Sequence, residues 1–214
     1  LEIRQGFVEC LDNEFYQDGE SEELELAIKE EVFALLRDAL PQSAPNVAHF
    51  LLGFDISKDI RQSNLQQAGV LDFPSTCSKS LVNMLDQYLD NIKGGRVMSD
   101  ERLKMIESAY NLLYCLCFNF RTSDVFMRFL RSASSDFLCR HVSQLPFAGD
   151  GHHVLNQMTA LLKSVAIELK MSAEKNQLSH FGNLCKVLLG LGSSVNASTY
   201  NDTIQVELSH YQHS

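Results

Sequence analysis

Leu103, Ile106, Tyr110, Leu113, Cys117 and Phe120 recur at intervals of 3, 4, 3, 4 and 3 residues, the spacing of one helix face. Ala109, Leu112 and Leu116 add a second stripe beside the first. One stripe is enough for a helix at the edge of a bundle. Two stripes side by side require neighbours on both flanks, so this helix must lie inside a stack of other helices.

The rest of the chain repeats the helical pattern. Ser21, followed by Glu22 and Glu23, reads as a helix start, with Leu24, Ile28, Val32, Leu35 and Ala39 as its apolar stripe and Pro41 as its stop. Ser43 and Pro45 open a short helix ending at Gly53. Pro74 suits a first helical turn, with Cys77, Leu81, Leu85 and Leu89 behind it and Gly94-Gly95 as terminator. Ser99 caps the two-striped helix. Thr122 to Asp124 caps a short helix with Phe126 and Phe129, and Ser134 to Asp136 caps another with His141 and Val142. After the turn at Phe147 to Gly151, Val154, Leu155, Met158, Leu161, Leu162, Val165, Ala166 and Leu169 form a long helix, in which Leu162 is expected to be buried, as Leu113 is. Ser172 opens the last clear helix, ending at Gly190 and Gly192. Ile204, Val206 and Leu208 alternate like a strand, but a strand with no partner reads better as the start of a further helix.

The count is about nine helices and no set of strands that could make a sheet. Helix pairs at 74–120, 122–145 and 153–191 recur at intervals near those of HEAT-like units, ~40–47 residues. The expected fold is all-α, an irregular α-solenoid of HEAT/ARM-like helix pairs. Three regions follow: acidic N-terminal helices at 1–42, a helical-repeat body at 43–192, and a flexible tail or start of a further helix at 193–214. Inside the body, 53–73 interrupts the helical pattern for ~20 residues, uncommon in a compact domain. Phe54, Ile56, Ile60, Leu65, Val70, Leu71 and Phe73 make it too apolar for a linker, so it is expected to lie ordered against adjacent helices.

The net charge of −9 belongs to one end. Residues 1–31 carry eleven acids against Arg4 and Lys29, while sixteen acids and sixteen bases balance over the remainder. A charge run of this kind reads first as a solvated face and second as a contact for a basic partner. Without a basic surplus, direct nucleic-acid binding is not expected. No run of 18 or more apolar residues exists to span a membrane. Leu1 in place of an initiator methionine, with no targeting segment after it, reads as a piece of a longer chain.

No catalytic, cofactor-binding or metal site is expected. The six cysteines include no C-x-x-C pair, and Cys115 and Cys117 point to different helix faces. They read as reduced, intracellular thiols that serve as small hydrophobes. His152 and His153 are adjacent and diverge. His210 and His213 have a usable helical spacing, but only Glu207 for company. His49, His141 and His180 read as single histidines at helix margins. The one run of basic and aromatic residues holds Arg121, Arg128 and Arg131 with Phe120, Phe126 and Phe129, and reads as an amphipathic helix with a solvated basic face.

SAPNVAHFLLGFDI (Ser43 to Ile56), NLQQAGVLDFPSTC (Asn64 to Cys77), FMRFLRS (Phe126 to Ser132) and LPFAGDGHHVLNQMTALLKSVAIELK (Leu145 to Lys170) resemble, in this order, the very large inner-ring scaffold nucleoporins of the nuclear pore. The resemblance covers roughly 43–190, and none is evident for 1–42 or 193–214. It implies a non-enzymatic segment of a long α-solenoid at the nuclear envelope. Its implied partners are linker nucleoporins of the inner ring, one bearing coiled coils and one small and membrane-associating, and neighbouring repeats of its own full-length chain. No family binding residue maps onto these positions. The alternatives are a karyopherin-like transport receptor and a soluble helical adaptor, with an enzyme built on His210 and His213 a distant third.

Overall fold

The computed structural model describes residues 2–12, 19–65, 75–132, 136–144 and 151–194. Among them, nine α-helices account for almost all regular structure: α1 (Glu2–Asp12), α2 (Gly19–Ala39), α3 (Val47–Leu52), α4 (Cys77–Lys93), α5 (Asp100–Phe118), α6 (Ser123–Ser132), α7 (Phe137–Gln144), α8 (His152–Glu174) and α9 (Leu178–Ser194). A single 3-10 turn covers Ile60–Gln62, and the described residues contain no strand. The fold is all-α, as the periodicity requires.

Local chemistry explains several boundaries. Ser99 Oγ accepts the Arg102 N–H at 3.2 Å and opens α5, with Asp100 and Glu101 near the positive end of its dipole. Thr76 Oγ1 does the same for α4, accepting from Lys79 N–H at 3.3 Å. Gly94 and Gly95 end α4, the second with φ +68°. Asn46, not Ser43, starts α3, its Oδ1 accepting from His49 N–H. Gly53 ends α3 at φ +93°, where a side chain is strained and an added Cβ would sit 2.5 Å from Thr76 Cγ2. Only glycine lets the chain turn away there while α4 starts beside it.

The helices stack by threes. α1, α4 and α7 form one row and α2, α5 and α8 a second, so within these rows a helix packs on the one three places later, most extensively at α2–α5 and α5–α8. The shorter α3 and α6 bridge α2 to α4 and α5 to α7, and α9 lies against both α7 and α8. α6 and α7, expected to pair over 122–145, do pack on each other, and α7 packs more extensively on α8 and α9. In the second row α5 is the centre, with α2 on one side and α8 on the other. Most of both its stripes is covered, with α2 and α8 as its main neighbours: Ile106, Ala109, Tyr110, Leu112, Leu113, Leu116 and Cys117 are all buried.

Several expected positions are corrected. On α2 the buried face is Leu26, Val32, Phe33, Leu36 and Leu40, whereas Leu24, Ile28 and Leu35 are exposed. α2 begins at Gly19, which puts Ser21 inside the helix. Phe120 falls after the end of α5 and is 72% exposed. Leu162 is 38% exposed and Leu155 more so, because α8 turns Met158, Leu161 and Val165 inward together with the polar Gln157, Ser164, Glu168 and Ser172. Ser172 does not open the last helix: it lies within α8, its Oγ donating to Glu168 Oε1, and the turn comes at Asn176 with φ 54°. Gly190 and Gly192 stay helical within α9. Thr122 does not cap α6, since its Oγ1 donates back to the Leu116 carbonyl at 2.7 Å. At α7, Asp136 is the residue whose carboxylate accepts from Cys139 N–H.

In the 53–73 interruption, Phe54, Ile60 and Leu65 are buried and Ile56 is exposed. Val70, Leu71, Phe73, Pro74, Ser134, the turn from Phe147 to Asp150, the 195–214 tail and its His210 and His213 lie outside the described residues.

Candidate functional site

The titratable side chains of this chain join helices together. His141 was expected at a helix margin but is completely buried. Its Nε2 lies 2.9 Å from Asp86 Oδ1 on α4, and its Nδ1 lies 2.8 Å from the Tyr110 hydroxyl on α5. In the neutral imidazole this geometry has Nε2–H donating to the carboxylate and Nδ1 accepting from the phenol. Arg140 donates to the same Asp86 oxygen at 2.8 Å. Burial lowers the His141 pKa, and the nearby Asp86 only partly offsets it. For Asp86, burial acts to raise the pKa, but hydrogen bonds from His141 and Arg140 outweigh it and hold the carboxyl below its ordinary value. Burial pushes the Tyr110 hydroxyl well up and Tyr88, bonded to Gln157 of α8 at 2.7 Å, to about 12. Tyr88 borders a cavity between α1, α2, α4 and α5, while His141 and Tyr110 are completely buried. The cluster is a strut between α4, α5 and α7.

His49 is also buried, against Asn46 Oδ1 at 2.8 Å and edge-on to Phe54, and burial followed by Arg121 lowers its pKa. Both histidines therefore stay neutral in the fold at a pH where the unfolded chain's histidines begin to charge. The unfolded state then binds more protons, so stability must fall as pH drops below the ordinary histidine value of 6.5. Asp86 adds to acid loss only in the lower window below its ordinary 3.8. The expected result is a lower urea midpoint at about pH 5.5 than at about pH 7.5, with a smaller difference in His141→Gln. A midpoint that rises on acidification would contradict the neutral, buried assignment.

A second strut centres on Glu168, whose side chain is 1% exposed. Arg131 of α6 grips it with two bonds, Nε to Oε1 at 2.5 Å and Nη2 to Oε2 at 3.0 Å. His180 of α9 places Nε2 2.6 Å from Glu168 and Nδ1 3.1 Å from Asp136. The expected basic face of Arg121, Arg128 and Arg131 is thereby divided. Arg131 is consumed by Glu168, Arg128 lies beside Asp124, and Arg121 sits in the turn before α6 with its guanidinium 4.7 Å from the Phe120 ring centre. Phe126 and Phe129 are core residues.

His153 joins α8 to α5 through Glu107 at 2.6 Å, while His152 is exposed. Among the described residues no three His, Cys, Asp or Glu side chains gather as metal ligands. Burial pushes the Cys77 thiol to about 12 and raises Cys115, Cys117 and Cys139 as well, so none of these four is an activated nucleophile. Between α1, α2, α4 and α5 lies a cavity of about 170 Å³ lined by the Glu25–Lys29 ion pair, Arg102 and Tyr88. No helix of the described residues is long and apolar enough to cross a membrane.

What the surface offers is contact area. Leu24, Ile28 and Leu35 stand exposed on α2, and Phe118 and Phe120 at the end of α5. Beside Phe120, Pro45, Lys58, Arg61 and Arg121 line a shallow depression of about 320 Å³. The exposed residues on α2 came from a correctly recognised apolar stripe assigned to the wrong environment. Buried struts such as Glu168 had no signal in the spacing at all.

Residues 1–208 match the family described as nuclear pore complex scaffold, nucleoporins 186/192/205. That match extends the likeness to the first 42 residues and into the tail, where none was evident from the sequence segments. Nuclear pore complex protein Nup205 of Drosophila melanogaster is 30% identical over 265 aligned residues, covering 98% of this chain and 12% of the relative. Nup205 of Homo sapiens is 38% identical over 197, covering 86% of this chain and 10% of the relative. The chain thus spans about a tenth of the length of these relatives. This all-α stack, matched over nearly its whole length, belongs to the nuclear pore complex scaffold family of nucleoporins 186, 192 and 205.

Proposed function

We propose that this chain is a structural segment of the nuclear pore complex scaffold at the nuclear envelope, acting through protein–protein contacts and without chemistry of its own. The observation that carries the reading is the family match along residues 1–208. The fold is consistent with it: rows of helices knitted by buried ion pairs suit a rigid spacer. Its partners are other nucleoporins, including linker nucleoporins of the inner ring, and neighbouring helical repeats of its own longer chain. The 43–192 body, with Phe54, Ile60 and Leu65 buried in it, provides the stack, and the acidic 1–42 region extends it through α1 and α2.

A karyopherin-like receptor would also be helical and acidic. A scaffold component is held by many neighbours at once and exchanges slowly, whereas a receptor makes short-lived contacts. Fluorescence recovery of the tagged full-length parent should therefore be slow at the nuclear rim. Recovery within seconds, with shuttling between nucleus and cytoplasm, would replace the scaffold reading with the receptor.

A further inference from the structure

The exposed stripe of α2 does not stand alone. Phe7 of α1 meets Leu24, Ala27, Ile28, Val32 and Leu35 of α2 along an open groove of about 400 Å³. Its lining is apolar apart from Glu31 at the rim. Leu24 is 64% exposed, and Ile3, one turn before Phe7 on α1, is 69% exposed. These side chains occupy a helical face that packing within the described residues leaves open, although the opposite face of α2 is buried against α5.

Charge says what covers it. Glu31 lines the groove, and Glu23 stands one turn before Ala27. Both are exposed, as are Glu2 and Glu9 on α1. Other acids of α2 are neutralised within the fold: Glu22 by Arg102, Glu25 by Lys29 and Glu30 by Lys104. Among the described residues no cation pairs with Glu2, Glu9, Glu23 or Glu31. Two exposed acids, Glu23 and Glu31, thus stand beside the apolar trough, whereas Glu2 and Glu9 line a separate patch of α1 with Gln5 and Gly6.

We infer that the α1–α2 groove binds an amphipathic helix of a separate protein, with an apolar face and a basic rim. The two helices flanking the groove have their backbone groups bonded internally, so no sheet edge is on offer and recognition must run through side chains. The lining spans Leu24 to Leu35, ~16 Å at a rise of ~1.5 Å per residue. That length accepts about three turns of a helix with anchors at i, i+3/i+4, i+7 and i+11. Ala27 lowers the middle of the trough for close approach. A second copy of this chain would set the same acids against one another, and an anionic membrane would be repelled by them. No described helix of this chain has the required rim, since α6 has its Arg131 locked on Glu168.

The test uses the 214-residue chain and two synthetic helical peptides with identical leucine faces, one flanked by lysine and one by glutamate, read by fluorescence anisotropy. The lysine peptide should bind one-to-one and at least about tenfold more tightly than the glutamate peptide, weakening with salt. Ile28→Ser, at an exposed position, should weaken it by about tenfold with unchanged melting. If that variant fails to fold, the exposed double reversal Glu23→Lys and Glu31→Lys supplies the same reading by inverting the peptide preference. Equal binding of both peptides, or binding indifferent to these substitutions, overturns the proposal. So does a concentration-dependent dimer that blocks the lysine peptide, co-sedimentation of the 214-residue chain itself with anionic vesicles that Ile28→Ser abolishes, or a longer parent chain whose own helix already fills the groove. The inference deepens the scaffold reading but fails separately from it: peptide binding reads the groove, and recovery at the nuclear rim reads the role.

Discussion

Arg131→Met is expected to destabilise the fold by about 3 kcal/mol, because it leaves the Glu168 carboxylate buried without its bidentate partner. Removing one member of a buried pair typically costs ~3–5 kcal/mol, most of it the desolvation of the charge left behind. His180, 2.6 Å from the same carboxylate, keeps the expectation at the lower end. The pair itself contributes far less than its breakage, since both ions were taken out of water to form it. Combining Arg131→Met with Glu168→Leu should therefore recover part of the loss, although His180 and Asp136 remain as a pair. Urea denaturation of the two single variants and the double variant measures this directly. A double variant at least as unstable as the sum of the singles would show that Arg131 and Glu168 are not coupled and would overturn the strut.

The second large effect separates two leucines that the sequence treats alike. Leu113 lies in the middle of α5 with no exposure, and Leu113→Ala should cost about 2–5 kcal/mol through lost burial and the cavity left behind. Leu162 on α8 is partly exposed, and Leu162→Ala should stay within roughly 0.5–1 kcal/mol. Thermal melts of both variants provide the comparison. Equal losses would mean that α8 is rotated from the orientation described here.

These leucines show where sequence reading held and where it stopped. α5 was legible because its two apolar stripes together encircle most of the helix, so no choice of face had to be made. Its start at Ser99 and the stop of α4 at Gly94-Gly95 were legible because capping is settled within a few residues of chain. On α2 the pattern offered two faces. Of the stripe Leu24, Ile28, Val32, Leu35 and Ala39, the structure buries Val32 but leaves Leu24, Ile28 and Leu35 exposed. Leu26, Phe33, Leu36 and Leu40 are buried on the helix that packs on α5 and α3. Ser172 looked like a helix start because a serine before an acid often is one. In place, its hydroxyl has the Glu168 carboxylate one turn earlier to bond, and α8 continues past it.

The sequence by itself determined that this protein is all-α, where most helices lie, that its acidity sits at one end, and to which family of scaffold proteins its segments are similar. Periodicity, caps and charge are local properties, written within a turn or two of helix. Tertiary structure alone decided that helices stack three places apart, that α2 turns Leu24, Ile28 and Leu35 of its apolar stripe outward, and that Glu168, His141 and Asp86 tie the rows together. Those outcomes depend on partners 31 to 80 residues away in the chain, and no spacing rule within a helix contains them.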